Sequence, residues 1–306
     1  MNVSPDRPTL RVGLVSPRPL PVSLVEHARE LVAAVADDVA LATTSRGGWF
    51  AVAVTASLRA GGGDTGAVGR RLRTELVGPA TALGVDVAVT TGSLAQDGPG
   101  LLVMDVDSTL ITAEVIELLA EHAGTRTEVA AVTERAMRGE IDFANSLRER
   151  VATLAGLDVA VLADVRAAVE LTPGARELVE AVHAAGGRVG VVSGGFVEVV
   201  EPLRAGLGID HAVANALEVR DGRLTGRTLG PVVDRAAKEA HLRRWAAADG
   251  VPLERVVAVG DGANDLDMLG AAGLGVAFRA KPVVQEEADA AVTFPRLDAV
   301  WGLLGR

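Results

Sequence analysis

The stretch Leu101–Thr109, LLVMDVDST, decides the fold. Four apolar residues run without alternation into Asp105, and a second carboxylate, Asp107, follows two positions later. An apolar run with no polar side is the pattern of a strand covered on both faces. The pattern recurs at RVGVVS (188–193), VVAVG (256–260), GLGVAF (273–278) and AAV near Val292, with helical periodicity between the runs. Such alternation predicts an α/β domain on a Rossmann-like parallel sheet. The interval from about 114 to 171 reads as helix with little strand character, so a helical cap inserted over the C-terminal edge of the sheet is expected. ALEVRDGRLTG (216–226) is expected to be a hairpin turning at Asp221-Gly222.

Upstream, the order is different. LRVGLVS (10–16) reads as a strand, VSLVEHARELVAAVA (22–36) as a helix, and DVALATTS (38–45) and WFAVAVTASL (49–58) as strands. A GGGD loop (61–64), a helix to about Leu83 and the strand VDVAVTT (85–91) complete a βαββαβ series, the order of a ferredoxin-like α+β domain. LAQDGPG (94–100) reads as a Pro/Gly linker, giving expected domains at 1–94 and 95–306. By element order the front domain resembles the ACT-type modules that often bind amino acids. No residue motif accompanies that likeness, and a scaffold or homodimerisation role fits as well as ligand sensing.

Composition narrows the chemistry. The 306 residues carry a formal net charge of -10, unlike the basic footprint of a nucleic-acid binder. Acidic and basic residues balance up to Gly98, so the acidic surplus lies beyond it. Half the residues are hydrophobic (49%), yet none of the runs reaches the roughly 18 uncharged apolar residues of a membrane span, and MNVSPDRPTLRVG lacks a signal-peptide core. A soluble, cytoplasmic protein with a small-molecule substrate and no nucleic-acid or membrane partner is expected. With no cysteine, disulfides, thiolate nucleophiles and thiolate-bound zinc are excluded, and the five histidines are scattered. Any metal is therefore expected on oxygen. Only two lysines occur, Lys238 and Lys281, which makes the position of each informative.

Three strand ends carry candidate chemistry, on the edge where open α/β sheets bind ligands. Asp105 and Asp107 offer a phosphoryl acceptor and a proton donor, although a D-x-D sequence also suits a solvated turn. Ser193 with Gly194-Gly195 offers a hydroxyl and unhindered N–H groups to an anion, or merely a turn. Asp261-Gly262-Ala263-Asn264-Asp265 brings further carboxylates, which together suit an octahedral Mg²⁺, or form an ordinary loop. Lys238, opening a helical pattern in RAAKEAHLRRW, could offset the crowded acids.

In order, Asp105–Thr109, Ser193, Lys238 and Gly260–Asp265 resemble the four motifs of the haloacid dehalogenase superfamily, over the whole chain beyond the linker. The resemblance implies attack on phosphorus by Asp105, acid–base work by Asp107, and Mg²⁺ held by Asp105, Asp261 and the backbone carbonyl of Asp107. It makes Asp265 a supporting acid, puts Ser193, Gly194 and Lys238 around the substrate phosphate, and counts Asn264 among the substrate-binding residues. Glu114 after the first motif, T-P-G at Thr172–Gly174, V-S-G-G-F at Val192–Phe196 and A-N-A-L-E-V at Ala214–Val219 are similar to the phosphoserine phosphatases within that superfamily. There, a glutamate meets the substrate amino group and a cap arginine its carboxylate, which implies Glu114 and Arg150. Phe143 and Met137 match apolar cap residues that exclude water. Singly, these four also read as solvated helix charges and packing residues. Two other readings remain: a phosphatase or phosphotransferase for another small ester such as phosphohomoserine, and an amino acid-sensing protein with a vestigial core.

Overall fold

The computed structural model describes residues 7–59 and 64–306, with Met137 described in its backbone only. The first residues of the N-terminal stretch and most of the GGGD loop thus lie outside the described residues.

The front unit comprises β1 (Thr9–Ser16), α1 (Val22–Val35), β2 (Ala36–Arg46), β3 (Trp49–Leu58), α2 (Thr65–Ala82) and β4 (Asp86–Thr91). The strands form an antiparallel sheet in the order β2-β3-β1-β4. Alternation along β1 turns Leu10, Val12 and Leu14 toward Leu24, Ala28 and Val32 of α1 and Leu72, Leu76 and Ala80 of α2, all buried in one cluster. The i, i+4, i+8 spacing on both helices is what lays two apolar stripes on one sheet face. One difference from expectation is that α1 passes directly into β2, and Asp38 takes φ +55° where the β2–β3 register shifts.

A second difference concerns LAQDGPG. Its first residues end a short helix, α3 (Gly92–Asp97), in place of an open linker. Leu94 and Ala95 are buried, and Leu94 shares a core with Val15, Trp49 and Ala51 of the front sheet and Val300, Leu303 and Leu304 of the chain's end. Burying two apolar side chains in this seam explains why the segment folds down. Only Gly98-Pro99-Gly100 runs free of regular structure before the second sheet.

The second part runs β5 (Leu101–Met104), α4 (Val115–Ala123), α5 (Arg126–Met137), α6 (Phe143–Ala152), α7 (Val161–Ala168), α8 (Ala175–Ala184), β6 (Arg188–Phe196), α9 (Val197–Leu207), β7 (His211–Arg220) and β8 (Arg223–Leu229). It continues with α10 (Arg235–Ala248), β9 (Val256–Gly260), α11 (Leu266–Ala271), β10 (Leu274–Phe278), α12 (Pro282–Glu287), β11 (Ala290–Val292) and α13 (Ala299–Leu303). The sheet order is β11-β10-β9-β5-β6-β7-β8, parallel except for the β7–β8 hairpin. β5 is central. Its Leu102 and Met104 face one core and Leu101 and Val103 the other, so both sheet faces are dry, as the unbroken apolar runs demand. The hairpin turns at Asp221 (φ +52°) and Gly222 (φ +72°), the two positive φ values of a type I′ turn.

Helices α4 to α7 form the expected insertion. Its two ends run side by side: Ile111 bridges Leu171, Thr112 N–H donates to the Glu170 carbonyl at 3.0 Å, and Thr172 N–H to that of Leu110 at 2.9 Å. The cap therefore leaves and rejoins the core at one neck, just beyond β5. Among the described residues, no helix is long and apolar enough to cross a membrane.

Candidate active site

Since β5 lies between β6 and β9, the three motif-bearing strand ends converge on one edge. Asp105 ends β5 almost fully buried, and one of its oxygens accepts the Val106 N–H at 2.7 Å. The other lies 2.8 Å from Nζ of Lys238. Lys238, in the first turn of α10, is completely buried and also donates to Asp265 at 2.6 Å. Asp265 accepts the Gly262 N–H through its second oxygen at 3.0 Å, which fixes the loop after β9. Asp261 accepts from Thr109 Oγ1 at 3.3 Å, tying that loop to the first motif.

A lysine taken out of water is stable as a cation only if its partners outweigh the desolvation cost. Burial pulls the Lys238 ammonium down, but Asp105 and Asp265 outweigh it and hold the group protonated beyond its ordinary range. Burial, and then the charge of Asp265, push the Asp105 carboxyl well up against the opposing pull of Lys238. Asp261 is pushed up to about 6 by burial and by Asp265 and Glu114. Asp105 and Asp261 thus resist ionisation first because they are buried and then because neighbouring carboxylates share one cation. Asp105, Asp261 and Asp265 each bring an oxygen within 4.8 Å of the others. A hard divalent cation fits this all-oxygen set and would relieve the repulsion. The side chain of Asp107, expected at the metal through its backbone carbonyl, is not in that carboxylate cluster; it accepts the Val115 N–H at 3.3 Å.

Asp107 is pushed up to about 8, first by burial and then by the charge of Glu114. It is thus mostly protonated at neutral pH, the state a proton donor needs. Ser193, at 0% exposure, accepts the Gly195 N–H at 2.8 Å through Oγ, which leaves its own O–H free to donate. Glycine is required next to it. A Cβ on Gly194 would stand 2.7 Å from the Phe143 ring, and one on Gly195 2.7 Å from Oδ2 of Asp107.

A cleft of about 790 Å³ opens over this floor between cap and core. Asp105, Asp107, Glu114, Phe143, Arg150, Gly194, Asp261 and Asn264 line it, all of them expected from sequence. Ser193, Lys238 and Asp265 lie buried beneath; the Met137 side chain is outside the described residues. Arg150 is half-buried, and burial lowers its pKa against the opposing charges of Glu114 and Asp107.

Sequence reasoning missed three supports. Asn215 donates to the Gly194 carbonyl at 2.8 Å and accepts the Val233 N–H at 2.9 Å, pinning the glycine loop. Ser108, at φ +57°, donates from Oγ to Glu114 at 2.7 Å. Arg279 lines the cleft mouth. The first was visible as a polar residue in an apolar strand; the backbone conformations of the others left no sequence signal.

Comparison with known proteins agrees with this geometry. Residues 102–270 match the family model of haloacid dehalogenase-like hydrolases. A phosphoserine phosphatase of Streptomyces coelicolor is 62% identical over 234 residues, 76% of this chain and 57% of that protein. One from Streptococcus thermophilus is 52% identical over 205 residues, 67% of this chain and 95% of its own length. A solved structure described as a phospho-aspartyl intermediate analogue of phosphoserine phosphatase superposes with TM-score 0.63 at 40% identity, covering 66% of this chain and 97% of that one. This chain spans little more than half of the Streptomyces coelicolor protein (57%) and of a Mycobacterium tuberculosis relative (54%).

Proposed function

This chain belongs to the haloacid dehalogenase-like hydrolase family, and from that premise we infer that it hydrolyses O-phosphoserine to serine and phosphate through a phosphorylated Asp105. The observation that carries the reading is the pairing of two kinds of group in one cleft. Asp105, Asp107 and Gly194 are there for a phosphoryl group, and Glu114 and Arg150 for an amino acid's ammonium and carboxylate.

The chain's own groups suffice to assign the steps. An Asp105 carboxylate oxygen attacks phosphorus while the protonated Asp107 gives its proton to the departing serine oxygen. Asp107, now ionised, takes a proton from the water that cleaves the acyl phosphate, and the site is restored. Lys238, fixed between Asp105 and Asp265, holds positive charge against the phosphoryl oxygens. The free O–H of Ser193 donates to one of those oxygens. Arg150 grips the substrate carboxylate with parallel hydrogen bonds, and Glu114, steadied by Ser108, accepts from its ammonium. Phe143 keeps water from the covered site. We assign the cation to Mg²⁺, held by Asp105, Asp261 and the Asp107 carbonyl with Asp265 in support; when bound, it supplies charge neutralisation at the phosphoryl group.

Because α3 runs through the expected 94/95 boundary, we divide the chain just beyond it, at Gly98–Gly100, and give the front unit a scaffold role, with homodimerisation among its uses. Steady-state kinetics on phosphoserine, phosphohomoserine and an aryl phosphate, with and without Mg²⁺, test the assignment. A marked preference for phosphoserine that requires Mg²⁺ supports it. Equal turnover of all three esters sinks the substrate, and turnover indifferent to chelation sinks the metal.

A further inference from the structure

Arg279 is an arginine in an unusual backbone state at the mouth of the cleft. Four non-glycine residues have positive φ among the described residues: Asp38, Ser108, Asp221 and Arg279. Aspartate tolerates this region better than most residues, and long side chains visit it seldom, at a cost of roughly 1–2 kcal/mol. Arg279, at φ +47°, is held there from both sides. Phe278 before it is fully buried and paired with Val292, its own N–H donates to the Val292 carbonyl at 2.8 Å, and the carbonyl of Ala280 after it accepts from Gln285 at 2.7 Å. The strain sits just past the C-terminal end of β10, on the same sheet edge as Asp105 and Asp261, and keeps the exposed guanidinium at the cleft.

The charges around it explain what such a group could do. A phosphate ester is an anion, and Glu114 and Asp261 in the lining of the cleft repel it. Of the other cations around the cleft, Lys238 is held by Asp105 and Asp265 and Arg235 by Asp267, Arg150 commits only Nε, to the Ser146 carbonyl, and is placed to meet a carboxylate, and Lys281 shares the lining. The Arg279 guanidinium, exposed and lining the same cleft, has no hydrogen-bond or ion-pair partner among the described residues.

We propose that Arg279 is an entry residue for the phosphate group: it draws the anionic end of the ester into the cleft and lowers the rate at which phosphate-bearing ligands escape, without taking part in the chemistry. The proposal rests on the phosphatase reading but not on phosphoserine, because it concerns the group common to all phosphate esters.

Arg279→Gly removes the charge and admits the same backbone at no steric cost; Arg279→Lys keeps a charge. In Mg²⁺ buffer, the glycine variant should lose about tenfold in kcat/KM at low salt, for phosphoserine and an aryl phosphate alike. Its dependence on ionic strength should be shallower, inhibition by inorganic phosphate weaker, kcat unchanged and Tm equal or higher. The lysine variant should recover most of kcat/KM. Wild-type kcat/KM with an unchanged salt slope in Arg279→Gly would overturn the proposal, as would a fall in kcat with KM and phosphate inhibition unaltered. A wild-type chain that cleaves the aryl ester but ignores phosphoserine would defeat the substrate assignment and leave this inference standing on the aryl ester and inorganic phosphate.

Discussion

Replacing Arg150 by alanine separates recognition of an amino acid from handling of a phosphate. Arg150 lies in the last turn of α6, half-buried, with only its Nε committed, to the Ser146 carbonyl at 3.3 Å. The rest of its guanidinium remains available to a carboxylate in the cleft. Losing one partner of a buried charge pair costs about 2–5 kcal/mol, and the partial exposure of Arg150 argues for the lower half of that range. At about 1.4 kcal/mol per decade, a loss near 3 kcal/mol is roughly a 100-fold fall in kcat/KM for phosphoserine. Phosphoethanolamine, which keeps the amine and lacks the carboxylate, should be spared, as should an aryl phosphate. Glu114→Gln should harm phosphoserine and phosphoethanolamine together. Arg150→Lys should rescue little, since a point charge cannot reproduce two parallel bonds. Comparable losses on all three esters would refute the reasoning and make Arg150 a support of the cap.

Asp107→Asn should cost on the order of 10² to 10⁴ in kcat for phosphoserine and much less for an aryl phosphate, whose leaving group needs no proton. Because burial, then Glu114, push Asp107 up to about 8, wild-type activity should decline as pH rises through that value, a limb the variant's residual rate should lack. Lys238→Met strands the buried Asp105 and Asp265, so a loss of about 3–5 kcal/mol is expected in chemical denaturation; an unchanged midpoint would contradict the buried-ion account. Asp86, at the start of β4, accepts from Thr293 N–H at 2.8 Å and is pushed up to about 6 by burial. A raised acid favours the protonated folded state, so its stabilising share is complete below its ordinary value of 3.8 and lost as pH rises through about 6. The drop in unfolding free energy between pH 4 and pH 7, on the order of 3 kcal/mol at most, should shrink in Asp86→Asn, as should the fall in Tm that accompanies it.

The parallel sheet was legible because burial on both faces forces unbroken apolar runs, and the candidate site because its residues stand at the ends of those runs. Asp105, Ser193 and Asp261 needed no knowledge of the cap to be brought together. What the sequence hid is long-range or conformational. Lys238 looked like a helix-start cation, and only folding encloses it between Asp105 and Asp265, the latter 27 positions on. The bond between Thr109 and Asp261 joins residues 152 apart. Composition made 94–100 resemble a linker, whereas Leu94 is buried by contacts from both ends of the chain. The positive φ of Ser108 and Arg279 comes from what their neighbours bond to, which no local pattern reveals.

The central claim is that phosphate passes through a covalent bond to Asp105. Rapid acid quenching during turnover of phosphoserine with Mg²⁺, followed by digestion and mass spectrometry, reads this directly, since acyl phosphates survive in acid. The account predicts phosphate on the peptide containing Asp105, lost on treatment with hydroxylamine, and absent from Asp105→Asn. Phosphoserine turnover with that peptide unmodified at every quench time, or an Asp105→Asn protein that still turns over, would contradict it.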